Sequence, residues 1–276
     1  MIWKTNKRQF DVSRRGLIMG ILNLTLDSFS DGGRYIHPRA AVEHALRMEA
    51  EGADIIDIGG ESTRPGSEPV PEAEELARVI PVLEQLKGKL KVAISIDTRK
   101  PAVAAAAMEL GAEIINDITG LTSPAMREVA ARTHAAVVVM HMQGTPRDMQ
   151  LNPHYDDVVA EVREFFRQSW ERTLNSGIDP LAICFDPGIG FGKTVEHNLT
   201  LIRHLDALRV EQRPILLGVS RKSFIGKVMN DTALEKRFWP TVALTSLGRE
   251  RGAEIFRVHD VKANREALRM TEAMMG

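Results

Sequence analysis

Short apolar runs that stop on a polar residue alternate along this chain with stretches in which apolar residues recur every three or four positions. The first run, residues 17–22, stops at Asn23, and the loop after it carries Thr25, Asp27, Ser28, Ser30 and Asp31 before Gly32 and Gly33 turn the backbone. A continuous apolar run of this length predicts a strand buried on both faces. From Pro38 to Gly52 the spacing of Ala41, Val42, Ala45, Leu46 and Met48 predicts an amphipathic helix. A second strand follows at 55–58, with Glu61, Ser62, Thr63 and Arg64 in the polar loop beyond it.

The same cycle continues to the end of the chain. Residues 71–90 predict a helix that Pro81 should kink or interrupt. Strands follow that stop on Asp97, on Asn116 and Asp117, and on His141, separated by helices at 101–111 and 123–133. A longer polar connection, 147–157, precedes a long helix at 158–177. The next strand stops on Asp186 and is followed by a helix at 195–208; a seventh strand stops at Ser220, Arg221 and Lys222. A helical tract at 235–251, an eighth strand stopping on Arg257 and His259, and a last helix at 261–274 complete the pattern. Residues 1–15 read as a short hairpin-like lead-in that closes the base.

Eight strands, each followed by a helix, predict an α/β fold of the (β/α)8 TIM barrel type, forming a single domain over 1–276. A doubly wound open sheet shares the local grammar, but no dinucleotide fingerprint follows the first strand. In a barrel all strand carboxyl ends meet at one mouth. Asn23, Arg64, Asp97, Asn116, His141, Asp186, Lys222, Arg257 and His259 should therefore converge although they span most of the chain.

Composition narrows the function. Thirty-six lysines and arginines against 37 acids leave a net charge of −1, which removes the electrostatic case for nucleic-acid binding. No apolar run reaches membrane-spanning length and the N-terminal segment lacks an apolar signal core, so no membrane partner and a cytoplasmic location are expected. The single cysteine, Cys184, excludes an internal disulfide and sits in an apolar run, as a buried hydrophobe does.

Two near-motifs fail. Residues 187–194 resemble a phosphate loop, but Pro187 occupies the place of the required glycine. Residues 218–222 resemble a nucleophile elbow, but Lys222 stands where the second glycine belongs. Zinc-type ligand spacings are missing too, so a metal here should be a hard ion on oxygen ligands, magnesium above all, with Asn23 and Asp27 as candidates.

By chemistry the strand-end residues form two groups. Asp97, Asn116 and Asp186 with Lys222 suit a flat heterocycle carrying several N–H donors and a carbonyl. Arg64, Arg257 and His259 suit phosphate or diphosphate oxygens. Taken singly, Asn116 and Asp117 fit a capping role equally well.

The segments MGILNLTLDSFSDGG, GGESTRPG, SIDT, INDI, VMHMQGTP, FDPGIGFGK, SRKSFIG and RVHDV, in this order from Met19 to Val261, closely resemble the dihydropteroate synthase family. The resemblance implies a (β/α)8 barrel that joins 6-hydroxymethyl-7,8-dihydropterin diphosphate to 4-aminobenzoate and releases pyrophosphate. It implies that Asp97, Asn116, Asp186 and Lys222 hold the pterin, that Met140 lines its pocket, and that Thr63 contacts the pterin substrate. Asn23 would bind magnesium together with the diphosphate, which Arg64, Arg257 and His259 also grip. Phe191 and Ser223 would receive the aminobenzoate, the latter at a helix start. Asp97, Lys222, Arg257 and His259 would carry the catalysis. A homodimer and a role as sulfonamide target are family expectations, and no insertion stands beside Phe191.

Two positions depart from the family pattern: Leu26, where proline is common, and residues 238–246 in the expected interface region. Two other readings compete. One is a pterin-binding barrel that transfers a methyl group to a corrinoid protein; the other is a silent folate-binding barrel. Neither needs the diphosphate-gripping set, and pyrophosphate release on mixing both substrates separates all three.

Overall fold

The computed structural model describes residues 1–25, 38–64 and 66–276. Asp27, Leu26 and most of the first polar loop lie outside the described residues. A hairpin of β1 (Ile2–Lys4) and β2 (Gln9–Asp11) comes first, paired antiparallel with Trp3 opposite Phe10. The Trp3 indole is fully buried and donates to the Ala182 carbonyl at 2.9 Å. Arg8 forks onto the buried Glu113 carboxylate at 2.7 and 2.9 Å and reaches the Lys91 carbonyl at 2.8 Å. Lys91, Glu113 and Ala182 each lie just before a barrel strand, so the hairpin packs against the amino-terminal face.

Eight parallel strands follow: β3 (Leu17–Asn23), β4 (Ile55–Gly59), β5 (Ala93–Asp97), β6 (Ile114–Asp117), β7 (Ala136–Met140), β8 (Ile183–Asp186), β9 (Leu216–Leu217) and β10 (Ile255–Val258). They are ordered β8-β7-β6-β5-β4-β3-β10-β9, and a parallel bridge between Phe185 and Ile215 joins the two ends. The sheet is thereby closed into the (β/α)8 barrel. Helices α1 (Pro38–Ala50), α2 (Glu72–Leu86), α3 (Pro101–Glu109), α4 (Pro124–Thr133), α5 (Val158–Asn175), α6 (Val195–Arg203), α7 (Ser223–Val228), α8 (Phe238–Glu250) and α9 (Val261–Met275) connect the strands. Strand and helix approach closely: a Cβ at Gly20 of β3 would lie 2.8 Å from the Met48 sulfur of α1.

Three expectations need correction. Helix α2 continues unbroken through Pro81. The seventh strand is only two residues long, and the chain leaves it well before Ser220, with Arg221 at a positive φ of 57°. Strand β7 stops at Met140, one residue short of His141.

Register decides which side chains share a level. Asn23 pairs with Gly59, Gly59 with Asp97, and Asp97 with Asn116, so one level runs across four adjacent strands at their carboxyl ends. Two residues deeper, Asp57 pairs with Ser95. Arg257 pairs with Met19, which in turn pairs with Ile55, so its backbone sits deeper still.

Candidate active site

At the mouth of the barrel the three acceptor residues are almost wholly buried: Asp97 is 7% exposed, Asn116 4% and Asp186 6%. A carboxylate there must be paired or neutralised. Arg257 rises from its deeper position, donating through Nε to Asp57 Oδ2 and through Nη2 to Asp97 Oδ2, both at 2.6 Å. Two acids thus share one guanidinium. Burial pushes the Asp97 carboxyl up to about 7, against the pull of Arg257 and with the help of neighbouring Asp57, Glu75 and Asp117.

Asn116 Nδ2 donates to the same Asp57 oxygen at 3.2 Å. An acceptor-only partner orients the amide, so the Asn116 oxygen is the atom left for other contacts. Its neighbour Asp117 plays the bland role instead: its carboxylate accepts the backbone N–H groups of Thr119 and Leu121 and ties the turn after β6.

Asp186 accepts the Gly188 N–H at 2.7 Å, which begins a sharp turn. Gly188 has φ +64°, and a Cβ there would fall 1.9 Å from the His141 carbonyl oxygen, so only glycine fits. The turn carries the Ile189 carbonyl to the Lys222 ammonium and Phe191 to a position 4.5 Å beneath that ammonium. Burial draws Lys222 down to about 8, opposed by Asp186, whose own carboxyl burial raises. Met140, also buried, pairs with Asp186 across β7 and β8.

On the other side, Ser220 Oγ lies 2.9 Å from His259 Nδ1 and accepts the His259 backbone N–H at 3.1 Å. Burial and the nearby cations Arg221, Arg257, Arg64 and Lys222 push the imidazole down to about 3, so the ring is neutral at physiological pH. Arg221 is occupied by Asp260 through two bonds of 2.5 and 3.0 Å, whereas Arg64 is exposed on the loop after β4. Thr63 is half-buried and shares a small cleft with Asp97. Ser223 is exposed at the first position of α7.

His141 does not join this group. Its ring packs edge-on against Phe165 of α5 at 5.0 Å, and its Nδ1 meets Lys193 Nζ at 3.0 Å. Lys193 is itself buried, drawn down to about 7, and donates to the Phe191 carbonyl at 2.9 Å, bracing the same turn from behind. Sequence reasoning also missed Asp57. The signal was present, since it is the one charge inside the apolar run 55–58, and such a charge must find a partner in the core.

For a metal, the described residues contain no group of three or more histidines, cysteines or acids that could hold an ion. Asn23 offers one half-buried amide at the rim level. Among the described residues this is one oxygen donor, a type of ligand that fits a hard ion such as magnesium, with other positions left to phosphate and water.

The model of the family described as pterin binding enzyme matches residues 19–259. The dihydropteroate synthase of Synechocystis is 44% identical over 266 residues, covering 96% of this chain and 92% of that protein. A Xanthomonas albilineans dihydropteroate synthase solved with 4-aminobenzoic acid superposes with a TM-score of 0.92 at 44% identity, covering 100% of this chain and 98% of the other. The same organism's enzyme in complex with 7,8-dihydropteroate gives a TM-score of 0.89 at 40% identity, with 100% and 99% covered.

Proposed function

We infer the roles of individual residues from one premise: the chain belongs to the pterin-binding enzyme family and, within it, to the dihydropteroate synthases. It is a transferase of folate biosynthesis that condenses 6-hydroxymethyl-7,8-dihydropterin diphosphate with 4-aminobenzoate to 7,8-dihydropteroate and pyrophosphate. The pterin lies over Asp97, Asn116, Asp186 and Lys222, with Met140 in its wall and Thr63 at its edge. Arg64, Arg257 and His259 face the diphosphate, and Phe191 with Ser223 receives the aminobenzoate.

In the reaction the bond between the pterin methylene carbon and the diphosphate oxygen breaks, and its electron pair leaves with the diphosphate. Positive charge grows on the methylene and spreads into the ring, where the Asp97 carboxylate stabilises it. The arylamine nitrogen supplies the electron pair of the new C–N bond and then loses a proton. No protein nucleophile is needed. The neutral His259 ring, its Nδ1 held by Ser220, offers Nε2–H to the departing oxygens, and Arg257 has N–H groups left over beyond those bound to Asp57 and Asp97. Asn23 and, in the loop beyond it, Asp27 would hold magnesium together with the diphosphate, and the ion would supply positive charge where the leaving anion forms.

The carrying observation is the buried acceptor set at one barrel mouth with a single guanidinium shared between Asp57 and Asp97. Mixing the purified protein with both substrates and magnesium should yield pyrophosphate and dihydropteroate in equal amounts; release of neither, from folded protein, contradicts the reading.

The assembly and setting follow the same reading. The chain forms one domain and works as a cytoplasmic homodimer. Trp239, Leu247, Met270 and Met274 are exposed on α8 and α9, a concentration of apolar surface suited to a second copy, and residues 238–246 fall on α8. Among the described residues no helix is long and apolar enough to cross a membrane.

A further inference from the structure

Asp57 is 0% exposed, sits in the middle of β4 and lies one layer below the rim level, two residues deeper than Gly59. One of its oxygens, Oδ2, accepts from Arg257 Nε at 2.6 Å and from Asn116 Nδ2 at 3.2 Å. The other, Oδ1, has no partner, and neither has Ser95 Oγ, the residue it faces in register on β5. A buried carboxylate with an unpaired oxygen is costly, and an apolar residue of similar size would fill the strand interior without that cost. Stability alone therefore does not account for it.

We propose that Asp57 is a positioning residue for the pterin half of the reaction. Its charge locks the Arg257 guanidinium against Asp97 and fixes Asn116 with its amide oxygen outward as an acceptor. This rests on the assignment of Asp97, Asn116 and Arg257 to the pterin site. An acceptor on Asn116 selects a ring that presents N–H or amino hydrogens at that edge; a free amide would present donor or acceptor with equal ease. The specificity of the floor is thus set one layer below the residues that touch the ligand.

The charge of Asp57 also acts on Asp97. The charged groups facing Asp97 are Asp57 from β4, Arg257 from β10, Glu75 from α2, Asp117 from β6 and Lys222 after β9. Asp57 and Arg257 pull in opposite directions. Removing the Asp57 charge takes away one repulsion and leaves the guanidinium to Asp97 alone, so both changes favour the Asp97 anion.

The test is Asp57→Asn, isosteric and neutral. The expected result is a rise of about tenfold or more in KM for the pterin diphosphate, with KM for 4-aminobenzoate changed less than about twofold. The acid limb of kcat/KM for the pterin substrate should also move to lower pH by about half a unit or more, which loss of packing would not produce. Unchanged pterin KM and an unmoved limb in folded protein overturn the proposal, as does equal weakening of both substrates. If loss of the Asp57 acceptor for Arg257 keeps Asp57→Asn from folding, Asp57→Asn/Arg257→Gln keeps the net charge of the original cluster and is compared with Arg257→Gln. There the limb should still shift downward while pterin KM changes less than about threefold; an unmoved limb, or a full additional loss, overturns it. Arg257→Lys and Asp97→Asn separate the two levels. If they retain full turnover the site assignment itself fails; if they lose it while Asp57→Asn behaves as the unmodified protein, only the role of Asp57 fails.

Discussion

The Ser220 hydroxyl lies 2.9 Å from His259 Nδ1 while its oxygen accepts the backbone N–H of the same histidine at 3.1 Å. Donation of the hydroxyl proton to Nδ1 would place the proton of the neutral ring on Nε2. Ser220→Ala removes the constraint on the tautomer without touching the ring. One hydrogen bond of about 1 kcal/mol corresponds to a fall of about fivefold in kcat, measured by steady-state pyrophosphate release, with thermal stability changed little.

Asp97 must be ionised to stabilise a developing cation, and burial raises its carboxyl to about 7. Protonation as pH falls removes the charge, so kcat/KM for the pterin diphosphate should decline on the acid side of about 7. A profile measured from pH 5 to 9 at saturating 4-aminobenzoate locates the limb. A limb below pH 5 would assign the charge to a different, less buried group.

The same shift has the opposite sign for stability. A carboxyl whose pKa rises from 3.8 in the unfolded chain to about 7 in the fold leaves the folded protein holding more protons between those values. Stability from this group is therefore full below pH 3.8 and lost as pH rises toward 7. Asp97→Asn, which keeps the shape and removes the ionisation, should flatten this part of the pH dependence and make the protein more stable at pH 8, as urea unfolding at several pH values will measure.

Gly188 should tolerate no side chain. In Gly188→Ala the new Cβ meets the His141 carbonyl at 1.9 Å in a left-handed conformation, a strain of more than about 1–2 kcal/mol before the clash is counted. The turn must open, which moves the Ile189 carbonyl away from Lys222 and Phe191 away from its ammonium. Loss of 4-aminobenzoate affinity with lowered Tm is the expected result, read by calorimetry and by the KM of each substrate.

Much of this site could be read from the chain because parallel strands are apolar throughout and end abruptly: Asp97, Asn116, Asp186 and Asn23 each stand where an apolar run stops. What register and neighbours decide was not legible. His141 ends such a run as well, yet Phe165 of α5 and the buried Lys193 draw it off the barrel axis. Asp57 lies inside a run, and its partner Arg257 is 200 residues away in sequence, joined to it only by closure of the barrel. Pro81 lies inside α2, which continues through it where the sequence suggests a break. β9 ends at Leu217, and only beyond it does Arg221 take a left-handed conformation just ahead of Lys222.

The most direct test of the whole account is the turnover of purified, folded Asp97→Asn with both substrates and magnesium. With the pocket shape kept and the anion removed, the rate of pyrophosphate release should fall by about 100-fold or more, as loss of one preorganised charge at a reacting centre does. A rate equal to that of the unmodified protein would contradict the assignment of this barrel mouth as the place where the pterin cation forms.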